Sequence, residues 1–172
     1  MTQPLDTLTD ALLSAARKAG AESADALAVE GRSITVDMRG GALEQAERAE
    51  GVDVGLRVFV GQRQACVSAS DARPETITAL AERAVAMARE APEDPWIGLA
   101  DPSQLAREWD VAALELADPA PEPSPEALQD DAREAEAAAL AIEGVSQVQS
   151  ASAGYSWRAV HMAATNGVAG GY

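Results

Sequence analysis

Alternation governs the middle of the chain. Val52, Val54, Leu56, Val58 and Val60 share one parity, and Asp53, Gly55, Arg57 and Phe59 share the other. Strict period two predicts a strand with one face buried and one face wet. Gly61-Gln62 interrupts the run. Ala65, Val67 and Ala69 then resume it against Cys66, Ser68 and Ser70. Two alternating runs across a short Gly-containing break predict a β-hairpin over Gly51–Ala69. A lone hairpin is marginal in water, so further strands or a helix must cover its apolar face.

The flanking segments supply both. Leu5, Leu8, Leu12, Ala15, Ala16 and Ala19 recur at spacings of three and four, which predicts a helix from Pro4 to Gly20. Asp6 in its first turn and Arg17-Lys18 in its last suit the helix dipole. From Ala24 to Met38 the period changes to two, with Ile34, Val36 and Met38 against Ser33, Thr35 and Asp37 and a bend or bulge expected at Gly31-Arg32. Gly40-Gly41 reads as a turn. Ala42–Glu50, ALEQAERAE, has helical propensities but is too short for a stable isolated helix, so an edge strand or irregular connection is expected. A second helix follows over Asp71–Glu90. Its stripe is Ile77, Leu80, Ala81, Ala84, Val85 and Ala88, with Pro74 in the first turn and Asp71 as candidate cap.

The composition then shifts. Ala91–Pro123 holds six of the nine prolines, a density that forbids long helix or central strand. Large apolar residues are interspersed, so the segment is expected to form an extended strap packed on a surface, with Trp96 and Trp109 as anchors. Ser124-Pro125-Glu126 is a helix start, and Leu128, Ala132, Ala135, Ala139 and Ile142 form its stripe down to Gly144. Two further strands are expected, one alternating from Val145 to Ala151 and one over Ser156–Thr165, with Asn166-Gly167 as a hairpin signal. The fold class is therefore α+β: an antiparallel meander flanked by two helices, a Pro-rich strap, and the beginning of a second α+β domain. The expected divisions are residues 1–91, 92–123 and 124–172. A turn signal followed by so little chain suggests a fragment of a longer protein.

Composition narrows the partners. Apolar residues make up 47% but aromatics only 3%, so the core must be packed from small side chains. Twenty-eight acidic residues against 13 basic ones leave a formal charge of −15, a surface that phosphate backbones repel; no direct nucleic-acid binding is expected. No apolar run is long enough to span a bilayer, and the N-terminal residues lack the pattern of a signal peptide, so no membrane association and a cytoplasmic location are expected.

The chemistry-bearing residues are sparse. Cys66 is the sole cysteine and reads as a small half-buried hydrophobe, because catalytic use needs a nearby base. His161 is the sole histidine, and no paired ligand spacing such as HExxH or CxxC accompanies it, so it reads as structural. Glu44, Glu47 and Glu50 at helical spacing, and Asp130, Asp131, Glu134 and Glu136, have the composition of acid-base or cation sites. Charge runs ordinarily mark solvated faces, and nothing singles these out. GLRVFVGQR lacks the lysine and hydroxyl of a phosphate loop. No catalytic, cofactor-binding or metal residue is assigned.

Several stretches together resemble the TldD/PmbA family, its PmbA (TldE) branch in particular: AGAESADALAVEGRSITVDMRGGALEQAE, then GVDVGLRVFVGQRQACVSASD, the helix after Pro74, the Asp94-Pro95-Trp96 motif, and SAGYSWRAVHMAATNGVAGGY. The most specific part is the glycine-flanked strand Gly51–Val58 with Ser68–Asp71. The resemblance implies a cytosolic peptidase system in which TldD-type and PmbA-type subunits pair, associated with microcin-precursor processing, antitoxin degradation and modulation of DNA gyrase. It places the zinc-binding HExxxH motif in the TldD-type partner, and nothing in these 172 residues matches that motif. The chain would supply the N-terminal domain and the start of the central one, shaping an enclosed chamber and subunit contacts. Self-association and peptide binding by strand addition along Gly51–Ala69 are further expectations. A stand-alone acidic adaptor and an enzyme using the acidic clusters are the rival readings.

Overall fold

The computed structural model describes residues 3–106 and 110–172. Three helices, α1 (Leu5–Ala19), α2 (Pro74–Glu90) and α3 (Pro125–Leu140), accompany five strands: β1 (Ser23–Arg39), β2 (Ala42–Val60), β3 (Arg63–Ala69), β4 (Ala151–Ala164) and β5 (Ala169–Gly171). The strands form one sheet in the order β3-β2-β1-β4-β5. The fold is α+β, as the alternation and the helical stripes require. The hairpin turns at Gly61-Gln62, with Val60 opposite Arg63 and Val54 opposite Ala69.

The described residues divide into two compact units. The first comprises Met1–Glu30, Gly51–Ala117 and Ala159–Tyr172; the second comprises Gly31–Glu50 and Asp118–Arg158. In the first unit, Val54, Leu56 and Val58 of β2 and Ala24, Ala26 and Ala28 of β1 are buried beneath Leu8, Leu12 and Ala16 of α1 and Leu80, Ala84 and Ala88 of α2. Small side chains on β1 and on the helix stripes allow close approach, which is how a core with few aromatics reaches native density. α1 packs along α2, and α2 lies over β3. The opposite parity carries Arg57, whose guanidinium holds the Asp25 carboxylate through Nε at 2.8 Å and Nη2 at 2.5 Å and lies 5.1 Å from the Phe59 ring centroid. Phe59 is itself buried, although its parity is that of the wet face.

In the second unit, Ile34, Val36 and Met38 of β1 pack with Leu128 and Ala132 of α3. Ala153 and Tyr155 of β4 lie against them, half-buried. Gly154 sits where a Cβ would come within 3.2 Å of the Ile34 carbonyl oxygen, so glycine is what lets β4 approach β1 here.

Several expectations change. β1 is one strand through Gly31-Arg32, but its buried parity is interrupted there: Ala24, Ala26 and Ala28 are buried, Glu30 is half-buried, Arg32 is exposed, and burial resumes at Ile34, Val36 and Met38. Of the two forms expected for Ala42–Glu50 it takes the strand, continuous with the hairpin strand, and every one of its residues is exposed. Sheet pairing, set up by the preceding turn, overrides its helical propensity. Val145–Ser150 is not strand, and β4 is one strand from Ala151 rather than two. Asp71 does not cap α2. The N-cap is Arg73, and Asp71 instead accepts hydrogen bonds from the Arg73 amide and guanidinium and from the Thr76 hydroxyl. On α3, Ala135 is exposed and Glu136 takes the third buried place; the helix ends at Leu140, and Ile142 beyond it is exposed.

The strap is held by polar bonds more than by aromatic anchors. The Asp94 amide donates to the Gln62 carbonyl at 2.8 Å, Arg63 donates to the Ala91 carbonyl, and the Asn166 side chain donates to the Ala100 carbonyl. Trp96 is 92% exposed and anchors nothing within the first unit. Trp109 lies outside the described residues.

Two measurements check this arrangement. Leu56→Ala should cost about 2–5 kcal/mol in urea denaturation, because it empties a buried site. Leu43→Ala on the exposed part of the same strand should cost under about 0.5 kcal/mol. Asp71 is held below the usual carboxylate range first by the Arg73 side chain, then by the Arg73 amide and the Thr76 hydroxyl. A depressed folded pKa contributes stability that is complete above the unfolded value of about 4 and is lost as pH falls through the folded value. Asp71→Asn should therefore flatten the acid limb of the stability–pH curve and leave stability insensitive to pH between about 5 and 7 at this site.

Candidate functional site

Among the described residues, no group of three or more His, Cys, Asp or Glu side chains is placed to hold a metal ion. The candidates from the sequence are dispersed. His161 lies on β4 opposite Gly171 of β5, with Nδ1 2.9 Å from the hydroxyl of buried Thr9 on α1. That hydroxyl donates its single proton to the Asp6 carbonyl at 2.9 Å, so it accepts from His161, which places a proton on Nδ1. His161 thus fastens the terminal hairpin to α1 within the first unit. Cys66 is exposed on β3 rather than half-buried, because its parity is that of the wet face of the hairpin.

Glu44, Glu47 and Glu50 lie on extended backbone, so their helical spacing does not gather them. Glu44 pairs with Arg39 at 3.4 Å, and Glu50 pairs with Arg48 at 2.5 Å. Asp130 pairs with Arg133 on the exposed side of α3, where Asp131 and Glu134 are also exposed.

Glu136 differs from all of these. It is 3% exposed, and its two carboxylate oxygens accept from the amides of Gly40 and Gly41 at 2.6 and 2.7 Å. Both glycines have positive φ, +59° and +76°, the backbone of the tight turn that matches strand twist. Such a turn points adjacent N–H groups to one side, and a carboxylate satisfies both at once. The spacing from Leu128 through Ala132 to Glu136, four and four, marks this position in the sequence; the acidic residue hid it among solvated charges.

The other feature is apolar. In the first unit, Leu27, Val160 and Met162 of the sheet, with Leu114, Leu116 and Tyr172, line a groove of about 280 Å³ that presents almost no polar surface. Apart from the Tyr172 phenol, its lining carries no acid, base or nucleophile. What it offers is apolar area, and exposed patches of this kind mark contact surfaces. β3 is the outermost strand on its side of the sheet, the placement that strand addition requires.

Residues 24–88 match a family model described as PmbA/TldA metallopeptidase domain 1. Over those residues the chain is similar to the first domain of that family. Solved structures agree on the fold. TldE from Thermococcus kodakarensis superposes with a TM-score of 0.74 at 18% identity, covering 96% of this chain and 36% of that one. A protein named as a modulator of DNA gyrase from Bacteroides thetaiotaomicron gives 0.77 at 16% identity, covering 97% and 38%. One of the same name from Thermotoga maritima gives 0.68 at 16%, covering 97% and 36%. The chain thus spans little more than a third of the length of these three chains. Comparison with curated proteins finds no match.

Glu136→Gln should destabilise the second unit by about 1.5–3 kcal/mol, since a carboxamide turns an N–H toward one of the two glycine amides and leaves that donor buried without an acceptor. Glu134→Gln, two residues away and exposed, is the control and should change nothing measurable. Amide exchange at Gly40 and Gly41 reports the loss directly.

Proposed function

We propose that this chain is the N-terminal structural and interaction region of a PmbA/TldE-type subunit, working in the cytosol beside a zinc-bearing TldD-type subunit in a complex that cleaves peptides. The observation that carries the reading is the PmbA/TldA domain 1 match over residues 24–88. The TldE fold likeness over nearly the whole chain supports the choice of branch. The physical features fit a wall. Polar side chains are spent on pinning turns and strands, as with Glu136, His161 and Arg57. The apolar groove and the exposed Trp96 provide surface for burial against protein. An acidic surface disfavours direct contact with DNA, so the link to gyrase is assigned to proteolysis rather than to DNA binding. Zinc is assigned to the TldD-type partner, and no residue of this chain is given a place in the reaction.

The test is co-purification of the full-length subunit with a TldD-type protein, followed by peptidase assays of each alone and of the pair. Activity on an unstructured peptide should require both, with zinc content following the partner. Hydrolysis by this subunit alone with added zinc, or no association between the two, would overturn the reading.

A further inference from the structure

We propose that Asn166 is a self-modification site: the Gly167 nitrogen displaces its side-chain amide, and the loss of that amide unfastens the Pro-rich strap from the terminal hairpin. Asn166 is the sole asparagine of the chain, and a glycine follows it. The pair stands in the turn that joins β4 to β5, with Asn166 half-buried and Gly167 exposed at φ +97°. Asn-Gly suits such a turn because glycine takes positive φ freely. The same missing side chain leaves the Gly167 nitrogen unshielded, so this pair closes a five-membered imide more readily than any other asparagine pair.

The reaction needs no oxidant or reductant; water is the co-reactant. The Gly167 nitrogen bonds to Cγ of Asn166 and the Cγ–Nδ2 bond breaks. Nδ2 leaves as ammonia, with the proton that Gly167 gives up. Water then opens the imide at either carbonyl. One opening gives aspartate. The other gives isoaspartate, in which the main chain runs through the former side chain.

The structure holds this reaction in check. Asn166 Nδ2 donates to the Ala100 carbonyl at 2.9 Å, and its Oδ1 accepts from the Val168 amide at 3.3 Å. The Gly167 amide donates to the Ala164 carbonyl at 3.1 Å. Ring closure requires the side chain to leave its two partners and the Gly167 nitrogen to give up its own. Pro102, Leu105 and Ala106 of the strap lie round the same turn, within the first unit. The strap therefore shields the residue that fastens it. Conversion reverses the relation. An aspartate has no N–H for the Ala100 carbonyl and sets a negative oxygen against it. Isoaspartate also lengthens the turn by one main-chain atom, and turn length fixes hairpin register. β5 has three residues, paired as His161 with Gly171, Met162 with Gly170 and Ala163 with Ala169, so little pairing resists the slip. A strap released in this way does not refasten.

The experiment is incubation of the full chain at mildly alkaline pH, with peptide mass spectrometry at Asn166 and enzymatic methylation to detect isoaspartate. The folded chain should convert slowly, and the chain unfolded in urea faster. Leu105→Ala, which loosens the strap, should speed conversion about threefold to tenfold, the worth of one hydrogen bond. Asn166→Gln should not convert, since its longer side chain closes a less favourable ring. In the converted chain and in Asn166→Asp, amide exchange over residues 99–105 should rise while that of α1 and α2 stays unchanged. Should Leu105→Ala fail to fold, the comparison of folded with urea-unfolded chain and the exchange of Asn166→Asp decide. The proposal is overturned by no conversion even in urea, by equal rates folded and unfolded, by a folded Leu105→Ala that converts no faster, or by a converted chain whose strap exchanges as before. No partner subunit or peptide takes part, so failure here leaves the peptidase-subunit reading standing.

Discussion

The fold depends on burying one parity of β2. Val54, Leu56 and Val58 cannot be covered by the hairpin itself, and two helices with small-residue stripes lie close enough to cover them. Alanines on β1 continue the same floor. Because few aromatic side chains are present to bridge gaps, cohesion comes from close approach of backbones rather than from bulky groups. That requirement explains why so many alanines occupy stripe positions on α1 and α2, and why the wet parity of the hairpin can carry Cys66 and an Arg57–Asp25 pair without disturbing the core.

The second unit solves a different problem with fewer apolar groups. Among the described residues, Ile34, Val36 and Met38 meet Leu128 and Ala132 as buried partners, and the next place along α3 is a carboxylate. A buried charge is costly unless fully hydrogen-bonded. Glu136 meets that condition by binding the two amides of the turn that joins β1 to β2. One residue thereby satisfies donors that would otherwise be buried and ties α3 to the strand connection, so a polar interaction takes the place of a missing hydrophobic one.

For function, the placement of polar side chains matters more than their number. Every candidate for chemistry is engaged with a nearby group or stands apart from the others. His161 is bonded to Thr9, Glu44 and Glu50 are paired with arginines, and Asp130 is paired with Arg133. The surfaces left unengaged, the groove around Leu27 and Met162 and the outer edge of β3, are suited to contact with other polypeptide. The PmbA/TldD-family match falls on the strands and helix that build the first core.

Local patterning by itself determined the helices, the hairpin at Gly61-Gln62 and the turns at Gly40-Gly41 and Asn166-Gly167, because period, caps and turn residues act over a few positions. It also determined the small-residue character of the core and, through several soft motifs together, the resemblance that the match over residues 24–88 agrees with. Only the tertiary structure decided between strand and irregular connection for Ala42–Glu50, where pairing with β1 across the Gly40-Gly41 turn outweighs helical propensity. Only the tertiary structure separated Glu136 from its acidic neighbours, because its amide partners lie some 95 residues away in the chain. It also exposed Trp96 and Cys66, whose burial depends on what packs over them and not on their own hydrophobicity. Periodicity reports which face of an element is apolar; which faces meet is set by contacts remote in sequence, and those carry no local signal.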